Sequence, residues 1–321
     1  MAKLDPTFID RFGANVDALF HDIAHSSNGN SRSIVSDSIF FPMSRHKSWF
    51  DGHSFATGMF SFGNGKSQES SSEAVNCYYG AYLWSLVRHE HVASDVTDFA
   101  RLLLSTEIRS TKMYWHMLPS KVQQFNNNTD SVSSTIHPHI YPSEFEENYM
   151  VGNVGMLDVA ANTWFGNDPL YVHMINVIPI TAATRLLMDE DYVKYEYPYL
   201  MKGRSSVEMA WRGYTTSIHA LIDPNKAWDD ARGIISNQLD SALSKSQVLY
   251  FISQQPGFNN SIDTTSNKKH VEDSDSNTTN SASSSSSSSS SCESNLSCAT
   301  LGLTGKCCPT VGGSFLGCCS N

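Results

Sequence analysis

Apolar residues recur at helical intervals through most of the chain, beginning at its start. Phe8, Phe12, Leu19 and Ile23 fall at roughly helical spacing behind Asp5-Pro6, an N-cap followed by proline, so a helix is predicted from about Pro6 to Ala24. The run SSEAVNCYYGAYLWSLVRH, from Ser71 to His89, is apolar on nearly every side and predicts a buried helix. Further helices are expected from Val92 to Thr106, Glu144 to Asn162, Asp168 to Ile175, Ala182 to Met188, Glu208 to Ile222 and Trp228 to Ser244. Strand signals are sparse, the best being short apolar pieces near Ile178, so the globular part reads as all-α.

The pattern breaks in three places. Ser26 to Ser33, SSNGNSRS, is a loop by composition, and Phe40 to Ser70, rich in glycine, serine and aromatics, is a long irregular segment of the kind that often carries function. Beyond Gln255 the chain collapses to Ser, Asn, Thr and Asp, ending in SASSSSSSSSS, which cannot bury enough apolar surface to fold. Three parts are expected: a helical domain over residues 1–254, a disordered Ser/Asn/Thr-rich linker over 255–291, and a cysteine-rich tail over 292–321.

Composition narrows the partners. The 321 residues are 40% apolar, enough for a core, while a net charge of -10 without a lysine or arginine run argues against nucleic acid and acidic membranes. A neutral or polar ligand suits the chain better. The first residues have no apolar signal-peptide core and no later run is long enough to span a bilayer, so the sequence as given shows no export signal. Yet Cys292, Cys298, Cys307, Cys308, Cys318 and Cys319 crowd the last 30 residues, as in a disulfide-stapled module of an oxidising compartment, with the pairing left open. Sequons at Asn127, Asn259, Asn277 and Asn295 lean the same way. A flexible tether to such a tail raises local substrate concentration when the tail grips an insoluble polymer.

The chemistry concentrates in DGHSFATGMFSFGNGKSQESSSEAVN, from Asp51 to Asn76. Ser70 with Glu73 forms a capping box, which would make Glu73 a helix starter and leave Glu69 just outside, stabilised by the macrodipole. The same placement keeps a carboxylate ionised, as a general base requires, and Asp51, His53, Lys66 and Gln68 offer hydrogen-bond partners for a water or a sugar hydroxyl. Trp49, Phe50, Phe55, Phe60, Tyr78 and Tyr79 are either core or platforms for sugar rings. Two carboxylates flanking a bond are the equipment of glycoside hydrolysis, but these residues alone select no enzyme class.

The segment WFDGHSFATGMFSFGNGKSQESSSEAVNCYYGAYLW closely resembles the signature of glycoside hydrolase family 81, the endo-β-1,3-glucanases. STEIRSTKMYW, NTWFGNDPLYVHMINVIPIT and HALIDPNKAW fit the same family, and the resemblance covers most of residues 2 to about 250. It implies a helical (α/α)6-barrel catalytic domain, here partial, that cleaves internal β-1,3 linkages with inversion. Carried over by position, Glu69 matches the general base and Glu73 the second essential glutamate, while Asp51 and His53 match residues lining the cleft. Lys66, Gln68, Asn76 and Tyr79 complete the substrate-binding candidates. The family's general acid lies in an Asp-His-His-Phe-His-Tyr-Gly motif that does not occur in this sequence, which is therefore expected to be a C-terminal portion of such an enzyme with little turnover of its own.

The alternative is a non-catalytic glucan-binding protein that keeps the cleft without the acid. No metal or cofactor is expected. The expected partner is β-1,3-glucan, the expected state a monomer, and the expected location the cell exterior or wall. His89-Glu90-His91 and His137-Pro138-His139 read as surface or loop residues, Cys77 as a small core residue, and Asp189-Glu190-Asp191 as a solvated helix end. The tail stretches CATLGLTGKCCPT and SFLGCC resemble small cysteine-rich repeats found beside secreted carbohydrate-active enzymes, implying glucan or cell-wall binding there, with a purely structural knob as the alternative.

Overall fold

A computed structural model describes residues 4–5, 7–25, 42–56, 66–88, 94–117, 141, 145, 148–164, 166–202, 209–259, 290–291 and 306–308. The chain divides into two compact units, Met1–Ile262 and Asp263–Asn321. The first is built from helices. α1 (Phe8–Ala24) starts two residues beyond Pro6, because the Asp5 carboxylate accepts from the Thr7 N–H at 2.9 Å and the Thr7 hydroxyl at 2.8 Å and so turns the chain ahead of the helix. α2 (Ser71–Val87) buries Val75, Tyr78, Ala81 and Trp84. α1 and α2 are tied by Asp17, which accepts from Trp84 Nε1 at 2.8 Å and pairs with Arg88 at 3.0 Å. α3 (Ser94–Tyr114) runs well past the expected end at Thr106, with Val96, Ala100, Leu103, Glu107 and Thr111 recurring on its buried face. It packs along α2 more extensively than any other pair of elements.

The rest of this unit is made of shorter helices. α4 (Pro169–Ile175) is capped by Asp168, whose carboxylate accepts from Leu170 N at 2.8 Å. α5 (Thr184–Leu187) is shorter than expected, and α6 (Glu190–Met201) opens on the acidic run Glu190-Asp191. A 3-10 turn at Met209–Trp211 leads into α7 (Arg212–His219), which packs against α8 (Pro224–Arg232) and α9 (Lys245–Ser253). One hydrophobic cluster joins these elements, with Leu103, Trp115, Met150, Met174, Leu200, Ile218 and Ile252 wholly inside.

Several expectations are corrected. The helix expected from Trp228 to Ser244 begins earlier and ends at Arg232, because Asp223-Pro224 supplies the start, with Asp223 accepting from Lys226 N at 3.0 Å, and Gly233 stands at the end. The apolar stretch near Ile178 forms no strand and links α4 to α5. α6 and α9 went unanticipated.

The helix expected from Glu144 to Asn162 is replaced by strands. β1 (Ser67–Gln68), β2 (Asn153–Gly155) and β3 (Val159–Ala160) form an antiparallel sheet in that order, with Gln68 opposite Val154 and Asn153 opposite Ala160. The glycines explain the outcome: a Cβ on Gly152 would collide with the Asn162 backbone, and one on Gly155 would press on Asp158. Glycine also weakens a helix by roughly 0.5–1 kcal/mol per residue.

Among the described residues no helix is long and apolar enough to cross a membrane, and no group of three or more His, Cys, Asp or Glu is placed to hold a metal ion. In the second unit, β4 (Ser290–Ser291) pairs antiparallel with β5 (Lys306–Cys308). Cys292, Cys298, Cys318 and Cys319 of the expected disulfides, His89-Glu90-His91, His137-Pro138-His139, Phe60 and the sequons at Asn127, Asn277 and Asn295 lie outside the described residues.

Candidate active site

Glu69 stands between β1 and α2, at a junction held from 105 residues away. The Ser70 hydroxyl accepts from Glu73 N at 3.3 Å and donates to Ile175 O at 2.7 Å. Ser71 N and its hydroxyl both donate to Asn176 Oδ1, at 3.1 and 2.7 Å, and Ser72 Oγ reaches Ile178 O at 2.5 Å. The serine run therefore bolts the start of α2 to the end of α4. The capping interaction is half realised: Ser70 caps, while the Glu73 carboxylate is exposed and makes no hydrogen bond among the described residues. It is free to act on something else.

The Glu69 carboxylate is held from the opposite side. Trp164 N–H donates to Glu69 Oε1 at 2.5 Å. That N–H is aimed by a tight turn in which Thr163 N and Thr163 Oγ1 both donate to Gly166 O at 2.9 Å. Among the described residues Oε2 receives no donor, which leaves one oxygen for a water. Burial pushes the Glu69 carboxyl up from its ordinary value, the Trp164 N–H pulls it back, and the charge of Glu73 pushes it up again. The helix end is thus not among the influences on this carboxyl, contrary to expectation. The N–H groups opening α2 point at Ser70 Oγ and Asn176 Oδ1 instead.

The neighbouring candidates divide by role. Gln68 is buried, with Nε2 donating to Ser70 O at 2.6 Å, and its buried Oε1 has no partner among the described residues. Asn76 donates to Ser72 O at 2.9 Å and accepts from Thr181 Oγ1 at 2.5 Å. Lys66 lies at the start of β1, where its carbonyl accepts from Met156 N at 2.9 Å. Tyr79 is half-buried against the core. Cys77, expected in the core, is exposed on α2, its thiol pushed up to about 11 chiefly by burial of the sulfur. The residue has surface although its reactive atom is sheltered.

The DGHS turn sits on α3. Lys47 and Ser54 form an isolated bridge, and Gly52 takes φ +82 at the bend, a conformation that suits glycine. Ser48 Oγ donates to Asp51 Oδ2 at 2.6 Å, and Ser110 Oγ donates to Asp51 O at 2.5 Å. His53 is only 2% exposed, ringed edge-on by Phe55, Tyr114 and Trp115, and burial lowers its pKa. Beneath it Lys47 and Glu107 form a wholly buried ion pair at 2.8 Å, and Glu107 also accepts from Ser54 N at 2.9 Å and Ser54 Oγ at 3.0 Å. A cleft of about 230 Å³ opens beside the turn, lined by Phe50, Asp51, Arg109, Ser110 and Tyr114 among others. Phe50 is 98% exposed and Trp49 partly so, whereas Phe55 and Tyr78 belong to the core.

The structure brings Glu69, Glu73 and Asn76 together at one helix start and places Asp51 on a cleft whose lining includes neither glutamate. Trp164, Asn176 and Glu107, which position these groups, were not singled out from sequence. Their signal lay inside NTWFGNDPLYVHMIN and STEIRS, but nothing local marks a backbone N–H or a buried carboxylate.

The profile of the glycosyl hydrolase family 81 C-terminal domain matches residues 1–249. The chain is 34% identical over 197 residues to glucan endo-1,3-beta-D-glucosidase 2 of Saccharomyces cerevisiae, covering 61% of this chain and 23% of that protein. It is 25% identical over 257 residues to the primary septum glucan endo-1,3-beta-D-glucosidase of Schizosaccharomyces pombe, covering 78% and 22%. The chain thus spans about a quarter of the length of these relatives. A solved structure of a glycoside hydrolase family 81 protein from Clostridium thermocellum matches with a TM-score of 0.56 at 24% identity, covering 77% of this chain and 31% of that one, and so shares its fold.

Proposed function

Given that the chain belongs to glycosyl hydrolase family 81, we propose that it takes part in the endo-hydrolysis of β-1,3-glucan with inversion, outside the cell or at the cell wall. In such a reaction a base carboxylate activates water on one face of the sugar while an acid roughly 6.5–9.5 Å away protonates the leaving oxygen. Glu69 is assigned the base and Glu73 the support of its water. The observation that carries this reading is the Glu69 carboxylate, gripped through Oε1 by Trp164 N–H and open at Oε2, with Glu73 close enough to raise its pKa.

The remaining candidates are given supporting parts. Asp51 lines the cleft, buried His53 stiffens the turn that carries it, Gln68 and Asn76 fix the strand-to-helix junction, and Lys66 and Tyr79 border the substrate path. The Asp-His-His-Phe-His-Tyr-Gly string is not among these 321 residues, so the chain is assigned the base side of the reaction. Residues 1–254 are proposed as catalytic-domain sequence, 255–291 as linker and 292–321 as a carbohydrate-binding tail.

The test uses a protein that carries these residues together with that string, acting on laminarin. The wild type is expected to release the α-anomer, followed by NMR, and Glu69→Gln is expected to abolish turnover while binding of laminari-oligosaccharides persists. Turnover retained in that variant would overturn the base assignment, and release of the β-anomer would overturn inversion.

A further inference from the structure

The Thr163–Gly166 turn does more than meet Glu69. Trp164 presents its N–H to the Glu69 carboxylate while the residue as a whole is 63% exposed. Along the same sheet edge the exposed Met156 and Leu157 follow the Met156 N–H that donates to Lys66 O at 2.9 Å. β1 is therefore flanked at both ends by exposed large apolar side chains. A lone exposed Trp needs no explanation, but this one carries an exposed indole on the same residue whose backbone N–H grips the candidate base. A β-linked glucosyl ring offers C–H groups on its faces and hydroxyls at its rim, a shape that fits an aromatic face with polar groups alongside.

We propose that Trp164 is a two-part element of the sugar site: its backbone N–H positions the Glu69 carboxylate, and its indole is the platform on which a glucosyl unit of a β-1,3-glucan stacks. The second part rests on the glucan reading given above; the first does not. Coupling the two fixes the distance between the bound sugar and the base, because both are set by one residue. The turn is rigid for the same reason it is useful, with Thr163 closing on Gly166 through backbone and hydroxyl together.

The two parts have separate readouts in the 321-residue chain. With tryptophan selectively labelled with 15N, the Trp164 amide proton is expected to shift with pH along the same curve as the Glu69 carboxyl, and to stop doing so in Glu69→Gln. An amide that does not titrate with Glu69 overturns the positioning role. Trp164→Ala keeps the N–H and removes the ring, so laminarihexaose affinity, measured by calorimetry, is expected to fall about tenfold or more, while the Glu69 titration stays put and Trp164→Phe recovers part of the loss. Wild-type affinity in Trp164→Ala overturns the platform. If the wild-type chain binds no laminarihexaose, the glucan reading and the platform fall together, and the amide titration still decides the positioning role.

Discussion

At the scale of single residues, the decisive fact is that Glu69 and Glu73 play unlike parts. Both belong to one serine- and glutamate-rich string, yet Glu69 is half-buried and gripped by Trp164 N–H, while Glu73 stands exposed on the first turn of α2. The charge of Glu73 is one of the influences that raise the Glu69 carboxyl. Glu73→Gln removes it without altering the helix start, since Ser70 caps through the Glu73 backbone. The Glu69 titration, followed by 13C NMR of its carboxyl carbon, is expected to move to lower pH in that variant, and an unmoved midpoint would uncouple the pair. Sequence carried the identity of both glutamates and the cap. It did not carry the sign of the Glu69 shift, because that is set chiefly by burial, which a backbone N–H 95 residues away only partly offsets, while the α2 N–H groups are diverted to Ser70 and Asn176.

At the scale of elements, α3 serves as the foundation of the DGHS turn. Lys47 and Glu107 are both wholly buried, and Glu107 also collects the Ser54 N–H and hydroxyl. Breaking a buried pair leaves an uncompensated charge, so Glu107→Ala is expected to destabilise the chain by about 3–5 kcal/mol, read from urea unfolding midpoints. Replacing both partners with apolar residues, Lys47→Met with Glu107→Leu, is expected to recover a large part of that loss, because no charge is then left buried. A Glu107→Ala protein as stable as wild type would show that the pair bears no weight. The long helices were legible because α1 and α3 display helical spacing over many residues and α2 is a long run apolar on nearly every side, and α4 because Asp168-Pro169 marks its start. The segment around Asn153–Gly155 was misread, since its scattered apolar residues suit either period and the glycines that settle it act through contacts with Asn162 and Asp158. The irregular loop was marked from sequence as the place where chemistry gathers, but the half of its geometry supplied by Trp164 and Asn176 could not be read from within it.

At the scale of the whole molecule, burial makes several imidazoles harder to protonate. Desolvation is the largest influence lowering His21, His46, His53, His116 and His219. His116 is pressed flat on Tyr192, ring centroids 4.3 Å apart, and is lowered to about 3. Unfolded, it takes a proton below its ordinary value of 6.5; folded, it does not until about 3. Its contribution is therefore intact above pH 6.5 and declines as the pH falls through that window, by up to about 1.4 kcal/mol per pH unit. Thermal unfolding midpoints are expected to drop between pH 7 and pH 4, and His116→Phe is expected to flatten that decline; an unchanged slope would remove His116 as its source. The bolt between the serine run and Asn176 has a consequence of another kind. It closes a loop of 105 residues, and the Glu69–Trp164 clasp spans 95. α2 and α3, neighbours along the chain, can pair early, whereas distant closures come at an entropic cost that contacts of short range do not bear. The candidate base is thus expected to be completed after the α2–α3 pair, so that a refolding chain recovers helix before it recovers the site.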